Sequence, residues 1–285
     1  MTHALPIRRI LAVLAGVLVS LTALTACGSA GADEGGPLRI LASSTPHAEI
    51  LKQVQDSGLL GDVELEISEI SGDIDANQLL EAGDIDANFF QHDPYLQGWL
   101  AEHNTDDLVN VATVHVEPLG IYSQKVSSLD DVPSGATVAL SNNLPNFARG
   151  LFLLQDAGLI KLDVQPTDEG LDFSQVTESN ITENPKNLSF VQIDPAQLPN
   201  TLQDGQIDVS VINGNYALEA GLSPADDALA LEPAEDNPYA NTLTVKKDLQ
   251  DDPRVKALAK ALESPEIAKW IKDQYAGSVI PVHGE

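Results

Sequence analysis

Leu80-Glu81-Ala82-Gly83-Asp84-Ile85-Asp86 and Leu202-Gln203-Asp204-Gly205-Gln206-Ile207-Asp208 share the pattern L-x-x-G-x-I-D, 122 residues apart. In each copy the pattern predicts a helix ending at a glycine, where the left-handed cap conformation costs little, and a strand that begins at once. Each strand then runs into a polar and aromatic cluster: Phe90, Gln91 and His92 in the first copy, Asn213, Asn215 and Tyr216 in the second. Ligands of open α/β sheets sit beyond the carboxyl ends of the strands. Two such ends, one lobe apart, suggest a cleft between two similar lobes. The pattern is also that of a common helix-to-strand junction, and alone it leaves both readings open.

Outward from these copies, short apolar runs alternate with helical patterns from Leu38 onward, which predicts α/β layers and a largely parallel sheet. Strands are expected over 38–42, 63–70, 137–140, 188–193 and 207–213. Helices are expected over 46–57, with Gly58 ending it, over 94–103, from near Pro145 to Gly158, and over 195–203. Two more, over 253–263 and 265–275, have proline at the entry. Gly72–Asn77 and Gly83–Asn88 both spell G-D-I-D-A-N, but neither opens a calcium loop. A loop from Asp73 needs Gly and Glu at its sixth and twelfth positions, where the chain has Gln78 and Asp84; a loop from Asp84 has Phe89 and Tyr95 there.

The chain has 285 residues, with 15 Lys+Arg against 43 Asp+Glu and a net charge of −28. That balance excludes a nucleic-acid partner, which needs clustered cations. All the acids lie downstream of residue 32. Before them, Arg8 and Arg9 precede an uncharged stretch from Ile10 to Ala32, the layout of a secretory leader. The single cysteine falls in Leu24-Thr25-Ala26-Cys27-Gly28, a bacterial lipobox, so Cys27 is the expected lipidation site and residues 1–26 the signal peptide. Cleavage after Ala30-Gly31-Ala32 or an uncleaved anchor are the competing readings. Residues 27–37, rich in Gly, Ala and Ser, read as a flexible tether.

Hydrolase, Walker and dinucleotide motifs are absent from the sequence. The reading is therefore of a non-enzyme without a cofactor. The histidines stand singly, with no local ligand spacing; a zinc site of His47, His92 and His115 assembled in three dimensions stays open. Arginine is the sharper signal, since only Arg39, Arg149 and Arg254 follow Cys27. Arg149 sits one turn into a helix that follows Ser141-Asn142-Asn143, and a guanidinium beside helix N-terminal amides makes a carboxylate receptor. A surface salt bridge is the alternative. Phe89, Phe90, Tyr95, Tyr216 and Tyr239 adjoin the same polar clusters. Such a slot suits a small zwitterion with an apolar tail, and thioether–aromatic contacts favour methionine.

Several ordered stretches then carry a resemblance. They are Thr45–Leu51 (TPHAEIL), Gly83–Leu96 (GDIDANFFQHDPYL), Glu183–Leu188 (ENPKNL), Ala196–Leu198 (AQL), Val211–Tyr216 (VINGNY), Asn237–Asn241 (NPYAN) and Val279-Ile280-Pro281. Together the chain resembles the methionine-binding lipoproteins of the NlpA/MetQ family, substrate-binding components of ABC importers. The resemblance implies an α/β, two-lobed periplasmic-binding-protein-like fold (type II) with a ligand cleft between the lobes. Lobe 1 is expected to comprise 38–121 and 232–285, and lobe 2 to comprise 122–231. It further implies an extracytoplasmic, lipid-anchored protein that binds L-methionine or a close analogue and delivers it to an ABC permease. Phe90, His92 and Tyr95 would line one wall, and Asn146 and Arg149 would hold the carboxylate. Asn213, Tyr216, Tyr239 and Asn241 follow by motif. Asp73 stands where the family often has a pocket tyrosine, which leaves the analogue open. A zinc receptor of an ABC importer, or less simply an anchored hydrolase, is the alternative function.

Overall fold

Leu38-Arg39-Ile40-Leu41-Ala42 is apolar at every position but one, the pattern of a strand covered on both faces. It forms β1 (Leu38–Ala42), with Leu38, Ile40, Leu41 and Ala42 all buried. The computed structural model describes residues 36–70 and 74–283, so the leader, Cys27, the tether through residue 35 and Asp73 lie outside the described residues. A wide turn over Ser44–Ala48 leads into α1 (Glu49–Ser57), then β2 (Leu65–Glu69), α2 (Ala76–Ala82), β3 (Ala87–His92), α3 (Asp93–His103) and β4 (Leu108–Val116). The chain crosses over to β5 (Gly120–Tyr122), β6 (Thr137–Ser141), α4 (Leu144–Asp156) and the small hairpin β7 (Lys161–Leu162) and β8 (Ile181–Glu183). Next come β9 (Ser189–Ile193), a 3₁₀ helix over Pro195–Gln203, β10 (Val209–Ile212), α5 (Gly214–Glu219), α6 (Pro224–Asp227) and β11 (Ala230–Leu231). A second crossover returns it to β12 (Asn241–Lys246), α7 (Pro253–Leu262), α8 (Pro265–Tyr275) and β13 (Ile280–Pro281).

The two main sheets have the same internal logic. One runs β13-β4-β12-β3-β1-β2 and the other β11-β5-β10-β6-β9. In each, three parallel strands stand in the order second, first, third, and the next place is taken by an antiparallel strand arriving from a crossover: β12 beside β3, and β5 beside β10. The sheets are therefore mixed, not largely parallel. The antiparallel partners are the strands that enter from the opposite lobe, and none of them was expected as a strand from the sequence. The first sheet is covered by α1, α7 and α8 through Ile50, Leu51, Leu258 and Ile271, and the second by α4 through Phe147, Leu151 and Leu154.

The repeated heptad makes the same junction twice. Asp86 N donates to Arg39 O at 2.8 Å while Arg39 N donates to Asp86 Oδ2 at 2.9 Å. Asp208 N donates to Thr137 O at 2.9 Å while Thr137 N donates to Asp208 Oδ2 at 2.9 Å. Each aspartate also meets a cation that reaches the heptad glycine: Arg39 bonds Asp86 and Gly83 O, and Lys125 bonds Asp208 and Gly205 O. The aspartate thus pins the third parallel strand beside the first in both sheets. Only the first copy uses a left-handed glycine, with Gly83 at φ 81°. In the second, the 3₁₀ helix ends on Asp204, whose side chain accepts Gln206 N at 2.8 Å and turns the chain without one.

The two G-D-I-D-A-N copies also meet, through Asn77 and Asn88. Asn88 Nδ2 donates to Asn77 Oδ1 at 2.8 Å, and Gln91 Nε2 donates to Asn77 Oδ1 at 2.7 Å and to Asn88 Oδ1 at 2.9 Å. All three side chains are buried. Paired amides of this kind fix α2 against β3 without introducing charge. Because each heptad aspartate accepts a strand-end N–H, Asp86→Ala and Asp208→Ala should each cost about 1–3 kcal/mol in urea unfolding. A loss below a few tenths in both variants would remove the junction from the fold's support.

Candidate functional site

All six parallel strands deliver their carboxyl ends to one cleft of about 710 Å³. Ser43 follows β1, Ile70 follows β2, and Phe90, Gln91 and His92 end β3; on the other side Asn142 follows β6, Asp194 follows β9 and Asn213 follows β10. Backbone groups at strand ends have no ladder partner beyond them, so polar side chains and helix starts gather there. His92 is the N-cap of α3, its Nδ1 accepting Tyr95 N at 3.2 Å, which leaves Nε2 to donate to Asn146 Oδ1 at 3.2 Å across the cleft. Asn143 caps α4 in the same way by accepting Asn146 N. Asn146 Oδ1 also accepts Asn213 Nδ2 at 3.0 Å, whereas Asn213 Oδ1 is buried without a hydrogen bond among the described residues.

Arg149 is one turn further along α4, its side chain only 2% exposed. Nε donates to both Glu232 oxygens at 3.0 and 3.1 Å, and Nη2 donates to Glu232 Oε2 at 2.6 Å and to Glu117 O at 2.9 Å. The Tyr239 ring lies beneath, with its centre 4.5 Å from Cζ. Nη1 makes no hydrogen bond among the described residues, and Arg149 lines the cleft. The salt bridge weighed as the alternative is present, though not at the surface: one edge of the guanidinium is paired with Glu232, and Nη1 is left without a partner among the described residues.

Glu117 forms the floor. Its Oε1 accepts His115 Nε2 at 2.7 Å and lies 3.2 Å from His47 Nε2, while Oε2 accepts Asn215 N at 3.1 Å. Burial pushes the Glu117 carboxyl above the usual carboxylate range, opposed by His47, Arg149 and the Asn215 amide. The histidine cluster differs from the expected His47, His92 and His115: the third member is Glu117, because His92 is committed to capping α3. The three donor atoms lie within 4.8 Å of one another, a spacing a metal could use. Metal-bound imidazoles donate their second nitrogen to an outer partner. Here both Nδ1 atoms are buried without one among the described residues. His47 Nε2 is also 3.0 Å from Asn241 Oδ1. The cluster fits a hydrogen-bonded carboxylate better than a zinc centre.

Of the residues anticipated for ligand contact, Phe90, His92, Tyr95, Asn146, Arg149, Asn213, Tyr216 and Asn241 line the cleft. Tyr239 is the exception: it stands behind Arg149 and edge-on to His92, at 5.1 Å between ring centres. Glu117 went unnoticed in the sequence, although a signal was present. His115 and Glu117 are two apart, the spacing of one face of a strand. Gly214 has a steric cause, since a Cβ there would lie 2.9 Å from Glu117 Cβ and 3.3 Å from Pro118 O.

Two lobes of like strand order, joined by two crossovers and apposed over a polar cleft, define a two-lobed substrate-binding protein. The family model described as NlpA lipoprotein matches residues 38–283, and the chain belongs to that family. It is 38% identical over 268 residues to the methionine-binding lipoprotein MetQ of Bacillus subtilis (strain 168), spanning 93% of this chain and 96% of that one. To the D-methionine-binding lipoprotein MetQ of Salmonella typhi it is 36% identical over 270 residues, spanning 93% and 95%. The structure of a nutrient binding protein from Burkholderia cenocepacia bound to methionine superposes with a TM-score of 0.78 at 38% identity, covering 86% of this chain and 99% of that one.

Three buried histidines set the acid response. Burial lowers His47 to about 4 and His115 to about 3; burial and then the Arg149 charge lower His92 to about 3, all from 6.5. Unfolded, these groups take up protons below 6.5, which the folded protein resists until its own lower values, so stability falls as pH drops from 6.5 toward 4. Glu117, Asp156 and Glu219, raised by burial, work in the opposite sense, whereas Asp208 and Asp252, lowered by their hydrogen-bond partners, act with the histidines. The urea midpoint should decline steadily from pH 7 to pH 4.5, and a flat profile would contradict the neutral histidines.

Proposed function

We propose that this protein captures a methionine-class amino acid as its zwitterion in the interlobe cleft and hands it to an ABC permease. The observation that carries the reading is the pairing of unmet groups of opposite polarity in one cleft: Arg149 Nη1, a donor, and Asn213 Oδ1, an acceptor. The ligand carboxylate sits on Nη1, completing the guanidinium. The ammonium is received by Asn213 Oδ1 on the side of the Glu117 carboxylate. Phe90, Tyr95 and Tyr216 supply apolar and aromatic walls, the surroundings in which a thioether gains most. The names of the Bacillus and Salmonella relatives, and the methionine in the Burkholderia structure, support the same ligand class.

His92 acts through Asn146: it is neutral, spans the cleft and joins the lobes when they are apposed. A ligand that contacts both lobes stabilises that arrangement, and the apposed form is what a permease would recognise. No bond is made or broken. The family's lipoprotein character and the lipobox support a location outside the cytoplasm, with the protein held to the membrane by a lipid on Cys27. No helix among the described residues is long and apolar enough to cross a membrane.

Calorimetry with L- and D-methionine tests the ligand. Micromolar or tighter binding is expected, and Arg149→Ala should weaken it about 100-fold or more by stranding the carboxylate. Zinc binding with no response to either amino acid would favour the histidine cluster instead. Mass spectrometry of the mature amino terminus tests the anchor: an acylated Cys27 is expected, and an unmodified terminus at Asp33 would refute it.

A further inference from the structure

The ligand reading leaves Glu232 without a part. This residue follows β11 at the start of the return crossover. Its carboxylate takes three of the four hydrogen bonds that Arg149 makes. Oε2 also lies 3.3 Å from Leu119 N, and Glu232 N donates to Leu119 O at 2.9 Å, so the same residue ties the return crossover to the outgoing one. Nη2 makes the fourth bond, to Glu117 O in the outgoing crossover. Tyr239, further along the return crossover, sets the guanidinium plane from beneath. Nε and Nη2 are thereby committed along one edge.

We infer that Glu232 is a positioning residue, which fixes the Arg149 guanidinium with Nη1 toward the cleft and joins that receptor to both interlobe crossovers. The inference rests on the amino-acid reading above for its functional consequence. Two effects of Glu232 on a ligand carboxylate oppose each other. Its negative charge weakens the attraction of Arg149 for an anion, whereas its geometry removes the freedom of a long side chain before the ligand arrives. Charge alone predicts that removing it tightens binding; positioning predicts that binding loosens. Geometry dominates because Glu232 supplies most of the bonds that orient the guanidinium, and a rotated Arg149 presents no nitrogen at the same place.

The test uses the full-length protein and Glu232→Ala, with Glu232→Gln as the variant of equal size should alanine compromise folding. Calorimetry with L-methionine should show affinity weakened about 10- to 100-fold. In ligand-free protein labelled with ¹⁵N-arginine, the Arg149 Nε–H resonance is assigned by its absence in Arg149→Lys. It should exchange slowly with water in the wild type and much faster in the Glu232 variants. A merely structural role would lower the melting temperature and leave that resonance intact. Tighter or unchanged L-methionine binding, or a retained slow resonance, overturns the inference. A wild-type protein that ignores L-methionine refutes the ligand reading instead, and the ligand-free resonance then decides the positioning role alone.

Discussion

The Arg149 guanidinium carries a full charge into a place that water barely reaches, and an isolated cation there would cost several kcal/mol. Its partners are therefore a structural requirement. Glu232 must stand within bonding distance of two of its nitrogens, and Glu117 O must meet Nη2. Both partners lie in the crossovers, so the crossovers run side by side, cross-linked between Leu119 and Glu232. α5 must then start close against Glu117 and Pro118, which leaves room for Gly214 and for no larger residue. The pairing of the crossovers, the orientation of Arg149 and the start of α5 follow from one ion pair.

Buried polarity is handled differently away from the hinge. The Asn77, Asn88 and Gln91 amides satisfy one another and extend to Thr244, so the polar patch between α2 and β3 carries no charge. Four of the buried groups without a hydrogen bond among the described residues instead stand at the cleft or directly behind it: His47 Nδ1, His115 Nδ1, Asn213 Oδ1 and Tyr239 OH. Native interiors seldom leave such atoms unpaired without a reason. Asn213 lines the cleft, and on the proposed reading a ligand ammonium supplies the reason. The uncharged state of His92 keeps a second cation away from Arg149.

Local pattern made the parallel strands and their helices legible. β1 occupies the residues read as a strand, and α4 and α8 begin at the prolines that marked them. The heptad repeat was legible as two equivalent junctions because its aspartates satisfy strand ends that exist in both lobes. β4, β5 and β12 were not legible, because each is defined by pairing with residues far away in sequence: β12 with β3, and β5 with β10. Glu117 and Glu232 were hidden for another reason. Among 43 acidic residues nothing local marks Glu232, and the spacing of His115 and Glu117 is a faint signal, whereas three arginines after Cys27 made Arg149 conspicuous. Scarcity, more than motif, exposed the site.

Scarcity also bears on selectivity. With residues 1–26 removed, 13 basic residues face 43 acidic ones, a net charge of −30 on the body of the protein. A field of that sign opposes an anionic ligand at long range and attracts a cationic one, within a Debye length of about 8 Å at physiological salt. In the cleft stands Arg149, whose charge repels a cation and attracts a carboxylate. Neither an anion nor a cation is favoured by both terms. A zwitterion carries no net charge for the outer field to act on, and it presents separate poles to Arg149 Nη1 and to the acceptors at Asn213 and Glu117. On the proposed reading, acidic shell and buried cation select jointly for a dipolar ligand, and the aromatic walls have only its side chain left to discriminate.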